Sequence, residues 1–209
     1  MTGLAGRRWL APLLLGVVVV VDHVLARMPF ELLLTGVLDE SAHLATAALV
    51  LLAIGHLRGP LDRRFVVVVL VSACAIDVDH VPLVLELGDL STSDGRPFTH
   101  SLATPLVLVL GWLGWLSLSK PRRWLSPSRW SSLSNLFLAA ALGVLLHLFR
   151  DLASGPGVPA FWPLAGEDVR LPASFYLAVL VVVTFLATPG RERPTPPESR
   201  QRARSNRTP

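Results

Sequence analysis

Cysteine occurs once in this 209-residue chain, as Cys74 inside an apolar run, which excludes an intramolecular disulfide and leaves no redox pair. Its plain role is that of a small buried hydrophobe. Charge is scarce too: Asp, Glu, Lys and Arg make up 16% of the residues, where soluble domains carry about a quarter. That excludes an ordinary soluble domain. No repeat and no heptad pattern stands out, which sets aside solenoids and coiled coils. What fills the chain is apolar residues, 52% of the total, with a positive mean hydropathy. The net charge of +4 resides in short loops and a tail, a distribution that records membrane topology and not a polyanion partner.

Six apolar segments approach the roughly 20 residues that a bilayer span needs: about 9–25, 41–57, 65–85, 99–118, 132–153 and 172–188. Arg7 and Arg8 precede the first, which reads as an uncleaved anchor, because Asp22 and His23 interrupt the region where a signal peptidase would cut. Basic residues gather before the first segment, between the second and third (Arg58, Arg63, Arg64), between the fourth and fifth (Lys120, Arg122, Arg123, Arg129) and in the tail. The other three connections are acidic or nearly neutral. The positive-inside rule then gives an all-α polytopic membrane protein with about six transmembrane helices and both termini cytoplasmic. Residues 1–188 form the membrane domain, and residues 189–209, rich in Pro, Arg and Ser, are expected to be a disordered basic cytoplasmic tail. The location implied is a bacterial plasma membrane.

On that weave the unusual polar residues meet. Asp39, Glu40 and His43 begin the second segment; Asp77, Asp79 and His80 lie near the end of the third; His100 begins the fourth; His147 and Asp151 end the fifth. All fall at the extracytoplasmic face, and only His56 lies at the inner one. Asp39 and His43, and likewise His147 and Asp151, are four apart and share a helix face. Asp77 and His80 can share one as well, whereas Asp79 joins them only if the turn unwinds, for which Pro82 gives a reason. Charges near a membrane need partners, water or a cation. His43, Asp77, Asp79, His80, His100, His147 and Asp151 offer the carboxylate oxygens and imidazole nitrogens that suit zinc, with manganese or magnesium as harder alternatives. Seven candidates exceed one tetrahedral ion and suggest one or two divalent metals sharing carboxylates.

The ordered motifs "DVDH" (77–80), "RPFTHS" (96–101), "HLFRD" (147–151) and "GVPAFWPL" (157–164) resemble the LexA-regulated, inner-membrane-associated metal-dependent hydrolase family (YdjM-like) over about residues 39–164. The resemblance implies a helical membrane hydrolase distantly similar to zinc-dependent phospholipase C-type enzymes. It gives metal-ligand roles to Asp77, Asp79, His80, His100, His147 and Asp151, with His43 matching an early histidine. The chain departs from the family pattern at Gly95, where a histidine is usual, at Pro97 in place of Gly, and at Ile76 in place of Pro. Asp94 is a candidate stand-in for the missing histidine.

The function expected is metal-dependent hydrolysis at the outer leaflet, with a lipid or phosphoester substrate and no nucleic-acid partner. Asp79 and Asp151 take the catalytic role. Arg96 and Arg150 are candidates to grip a phosphate, Trp162 to line the lipid-facing mouth, and Thr99 and Ser101 to orient imidazoles. Two rivals stand beside it. A metal-ion or proton transporter needs polar residues continuing inward, where only His56 lies. A metal that merely clamps the helices needs no open coordination position.

Overall fold

A computed structural model describes residues 9–28, 30–84, 87, 96–118, 127–155 and 157–188. Among the described residues seven α-helices follow in order: α1 (Leu10–Leu25), α2 (Leu32–Arg58), α3 (Arg63–Ala75), α4 (Val81–Val84), α5 (Ala103–Leu118), α6 (Pro127–Asp151) and α7 (Ala173–Ala187). A 3₁₀ segment, Ile76–His80, joins α3 to α4, and another, Phe98–His100, precedes α5. The described residues contain no β-strand; Val158 and Val169 form an isolated antiparallel bridge. The protein is all-α. Asp94, Gly95, the fourth-to-fifth loop and the tail lie outside the described residues.

Each of the six apolar segments is helical, but four boundaries differ from those read in the sequence, the helix of the fifth segment beginning at Pro127 and not near residue 132. The second helix begins at Leu32 and not near residue 41, so Asp39, Glu40 and His43 sit inside it. The apolar stretch Leu32–Leu38 continues the helix, and Asp39 is tolerated within it because it faces a partner described below. The third segment is not one helix to residue 85. It tightens at Ile76 into 3₁₀ geometry, in which residues three apart eclipse, and this swings Asp77 and His80 together. The fourth helix starts at Ala103, leaving His100 in the short 3₁₀ turn ahead of it.

Helix α2 occupies the middle, packed against α1, α3, α6 and α7, while α6 also packs against α3 and α5. One core joins α1, α2 and α7 through Val18, Leu49 and Leu180. A second joins α2, α3 and α6 through Ala47, Val69 and Ala139. The approach of α6 to α3 depends on Gly143. A Cβ there would lie 2.4 Å from the Val69 carbonyl oxygen and 2.8 Å from Ser72 Cβ, so only glycine lets the two backbones touch. One turn further along α6 is His147.

The connection from α6 to α7 folds back over the bundle end. Gly157, at φ +102°, opens the Val158–Val169 bridge, and Val158 and Ala160 bury against Val144 and Leu148 of α6. The Ala160 carbonyl accepts the Leu102 amide at 3.1 Å, tying this loop to the start of α5. The Trp162–Pro163 peptide is cis.

The polarity of the molecule is inverted. Leu33, Val37, Leu110, Val182 and Phe185 are exposed on the outside of the helices. His43, Thr46, His100, His147, Arg150 and Asp151 are buried within. An apolar exterior of this extent fits lipid as the surrounding solvent. By length and composition one described helix, Leu33–Arg58, is able to cross a membrane alone; Leu10–Leu25, Ala103–Ser117 and Ala173–Ala187 are apolar but shorter.

Candidate metal centre

The carboxylates and histidines picked out along the chain converge at one end of the bundle. From the 3₁₀ turn after α3 come Asp77, Asp79 and His80; from the turn before α5 comes His100; from the last turn of α6 come His147 and Asp151. Asp77 Oδ1 lies 2.9 Å from His100 Nε2 and 3.3 Å from His147 Nε2. His147 Nε2 lies 3.1 Å from Asp151 Oδ2 and 3.3 Å from His100 Nε2, and His100 Nε2 lies 3.7 Å from Asp151 Oδ2. Ligand atoms about 2.0–2.1 Å from a tetrahedral zinc stand about 3.3–3.4 Å apart. The five separations scatter around that value.

Protons alone satisfy this cluster poorly. His147 Nδ1 is 2.7 Å from the Ala73 carbonyl oxygen, which can only accept, so Nδ1 carries the hydrogen. A neutral His147 therefore turns a bare Nε2 lone pair towards two carboxylates. His100 faces Asp77 through Nε2 and Asp79 through Nδ1, the latter 3.2 Å from Asp79 Oδ2, yet a neutral ring donates to only one of them. His80 Nδ1 lies 2.8 Å from Asp79 Oδ1, and neither atom makes a hydrogen bond among the described residues. Each of these rings needs a second positive partner, a further proton or a cation.

The charge balance points the same way. Asp22, Asp39, Asp77, Asp79 and Asp151 face two guanidinium groups, Arg96 and Arg150. Three negative charges remain, in a setting where His100, His147 and Asp151 are almost fully buried. Unbalanced buried charge is expensive. The donor set is the mixed imidazole and carboxylate type that holds zinc and harder divalent ions, and Asp77, Asp79, His80 and His100, like His100, His147 and Asp151, bring their ligand atoms within reach of one ion. The residues fit a divalent metal.

The surrounding groups behave as supports. Arg96 bonds to Asp151 Oδ2, and Thr99 Oγ1 donates to Asp79 Oδ2, so Thr99 orients a carboxylate and not the imidazole expected of it. Ser101 is buried and its Oγ makes no hydrogen bond among the described residues, so the orienting role expected of it has no partner there. Trp162 packs against Phe98 with ring centroids 4.9 Å apart, beside the His100 turn.

Two expectations need correction. Arg150 is 1% exposed, and its Nη2 and Nη1 donate to Asp22 Oδ1 at 2.7 Å and Asp39 Oδ1 at 2.6 Å. A guanidinium so engaged does not stand open as a phosphate grip; it is the tie among α1, α2 and α6. His43 stacks on His147, with ring centroids 3.8 Å apart and planes 8° from parallel. Its Nε2 accepts from Arg150 Nη1 at 3.0 Å, and a neutral ring so bonded keeps its proton on Nδ1. His43 also falls into groupings with Asp77 and His147 and with Asp39 and Asp151. It becomes a ligand through Nε2 only if Arg150 lets go.

No sequence spacing points to the Asp22–Arg150–Asp39 tie, because its three residues lie on three different helices. The Ala73 carbonyl was equally hidden, since a backbone acceptor has no signature in side-chain spacing.

An all-helical bundle with an apolar exterior and a buried centre of histidines and carboxylates defines a membrane protein with the makings of a metal site. A family model described as "YdjM inner membrane protein" matches residues 38–206, and the chain belongs to that family. The match spans the 3₁₀ turn, the His100 turn and the end of α6, so the whole centre lies inside it. No curated protein and no solved structure matches the chain.

Proposed function

We propose that this protein is a multi-pass, membrane-bound metal-dependent hydrolase acting on lipid or other phosphoester substrates at the extracytoplasmic face. Six helical segments cross the membrane, with both termini cytoplasmic and residues 189–209 forming a basic tail. The alternation of basic and acidic connections supports that topology. The observation that carries the functional reading is the set of imidazole nitrogens and carboxylate oxygens from three elements that come within ligand reach of one another, with the His147 hydrogen fixed on the far side of its ring.

Asp77, His100, His147 and Asp151 would hold a divalent ion, zinc by preference, with Asp79 and His80 available to a second. Such an ion supplies a bound water acidic enough to attack near neutral pH and polarises the scissile group. The chain's own residues do the rest. Ala73 fixes the His147 hydrogen and leaves Nε2 bare; Thr99 holds Asp79; Arg96 holds Asp151 and brings a cation to the site's edge. Asp79 and Asp151 are the carboxylates assigned to move protons. Asp77 and His80 keep a quarter and a third of their side-chain surface accessible, an open side that favours an enzyme over a closed metal clamp. His56 is exposed at the opposite end, and no described polar chain leads to it from the centre, which weighs against transport.

The test is hydrolysis of a chromogenic phosphodiester and of fluorescent phospholipids by detergent-purified protein, with and without added zinc or manganese. Turnover that chelation abolishes and His100→Ala or Asp151→Asn removes is expected. Metal-loaded, folded protein inert on every phosphoester tried would overturn the hydrolase and leave the clamp.

A further inference from the structure

Behind Arg150, on the side away from the metal centre, lies a cavity of about 490 Å³ between the end of α1, the outer part of α2, the end of α6 and the start of α7. Its walls are of two kinds. Val19, Leu25 and Leu177 make an apolar side, while Asp22, Asp39 and Arg150 make a charged one. The charged wall carries two carboxylates against one guanidinium, an excess of one carboxylate. Arg150 is 1% exposed, and its Nε has no hydrogen-bond partner among the described residues.

These features constrain what fits. A ligand must bring a positive group to Asp22 and Asp39, with an apolar part against Val19 and Leu177. An anion lacking a positive group meets the excess carboxylate and is repelled. On the topology proposed above, the cavity sits at headgroup depth in the outer leaflet, where amphiphiles with both features reside. At the same rim His23 and Arg27 are hydrogen-bonded to each other, adding a cation where a phosphate would emerge.

We propose that this cavity is a binding site for a zwitterionic phospholipid headgroup, an ammonium and phosphate joined on a glycerol ester. The ammonium sits against Asp22 and Asp39, the phosphate lies outward at the rim, and the acyl chain leaves along α1 and α7. The inference asks nothing of the metal and stands apart from the hydrolytic reaction.

Full-length protein is reconstituted into nanodiscs of equimolar phosphatidylethanolamine and phosphatidylglycerol, released into mild detergent, and its retained lipids counted by native mass spectrometry. Wild type is expected to keep phosphatidylethanolamine about tenfold over phosphatidylglycerol, the ratio that one partly desolvated ion pair supplies. Asp22→Asn is expected to erase that preference. Because it also loosens Arg150, Ala173→Phe is run beside it, filling the cavity without touching the ion pairs; a folded Ala173→Phe protein is expected to lose the retained lipid. Equal or greater retention of phosphatidylglycerol, or undiminished retention in folded Ala173→Phe, would overturn the site. Displacement of the lipid by soluble phosphorylethanolamine at equal concentration would overturn the lipid assignment in favour of a free headgroup.

Discussion

The Nδ1 of His147 on α6 donates to the backbone carbonyl of Ala73 on α3 at 2.7 Å. This bond turns a helix contact into chemistry. The carbonyl lies in the last turn of α3, just before the chain tightens into the 3₁₀ segment, where backbone oxygens lose their helical partners. Its use by His147 fixes the imidazole hydrogen and aims Nε2 at Asp77 and Asp151. Outer partners of this kind orient the ligands of most metal sites.

The same relationship makes Gly143 a sensitive position. A methyl group there collides with the Val69 carbonyl and Ser72, and backbone cannot yield as a side-chain tip can. Gly143→Ala is expected to push α6 from α3, lowering stability by about 1–3 kcal/mol, and to weaken metal binding by moving His147 away from Ala73. Thermal melting in detergent together with metal titration checks it. An unchanged melting temperature would mean that the helices do not touch there.

Thr99→Val removes the hydroxyl that holds Asp79 while keeping the side chain's shape. If Asp79 serves the centre, metal affinity should fall about 10–100-fold, as losses of such supporting bonds do elsewhere. Competition against a chromophoric chelator measures it. No change in affinity would remove Asp79 from the metal's surroundings.

Arg150→Met leaves Asp22 and Asp39 facing each other without their shared cation. Removing one partner of a buried pair costs about 3–5 kcal/mol, and the lower end applies because both aspartates keep some contact with solvent. The triple variant Asp22→Asn, Asp39→Asn, Arg150→Met should recover much of the loss. A single Arg150→Met protein as stable as wild type would show that the tie holds nothing together.

Much of this centre was legible in the sequence for a physical reason. Apolar runs of membrane length betray helices, and polar residues that break them are few enough to stand out, so Asp77, His100, His147 and Asp151 announce themselves. Pro82 points to an unwound turn, whereas the chain tightens there into a 3₁₀ segment and Pro82 itself lies in the short helix that follows. The rest was not legible, because it depends on contacts distant in sequence. Nothing local to Asp22 says that it meets Arg150, 128 residues away. Arg150 looked like a phosphate grip for the same reason: its two acidic partners lie on α1 and α2. Asp39 and Glu40 resemble a helix boundary in sequence, and only the meeting of Asp39 with buried Arg150 shows why the helix runs through them.

Tyr176, the chain's one tyrosine, and Thr46 share a buried hydrogen bond of 2.8 Å between α7 and α2. Tyr176→Phe leaves the threonine hydroxyl without this partner and should cost about 1 kcal/mol, with metal content untouched. A drop in metal content would tie α7 to the centre more closely than the geometry implies.

The central claim is that a cation, and not extra protons, joins the histidines and carboxylates at the end of the bundle. Elemental mass spectrometry of detergent-purified protein, beside an Asp77→Asn, His147→Ala double variant, tests it most directly. One or two equivalents of a divalent metal in the wild type, absent from the folded variant, is the predicted result. Wild-type protein that stays folded and takes up no zinc, manganese or magnesium on reconstitution would contradict it.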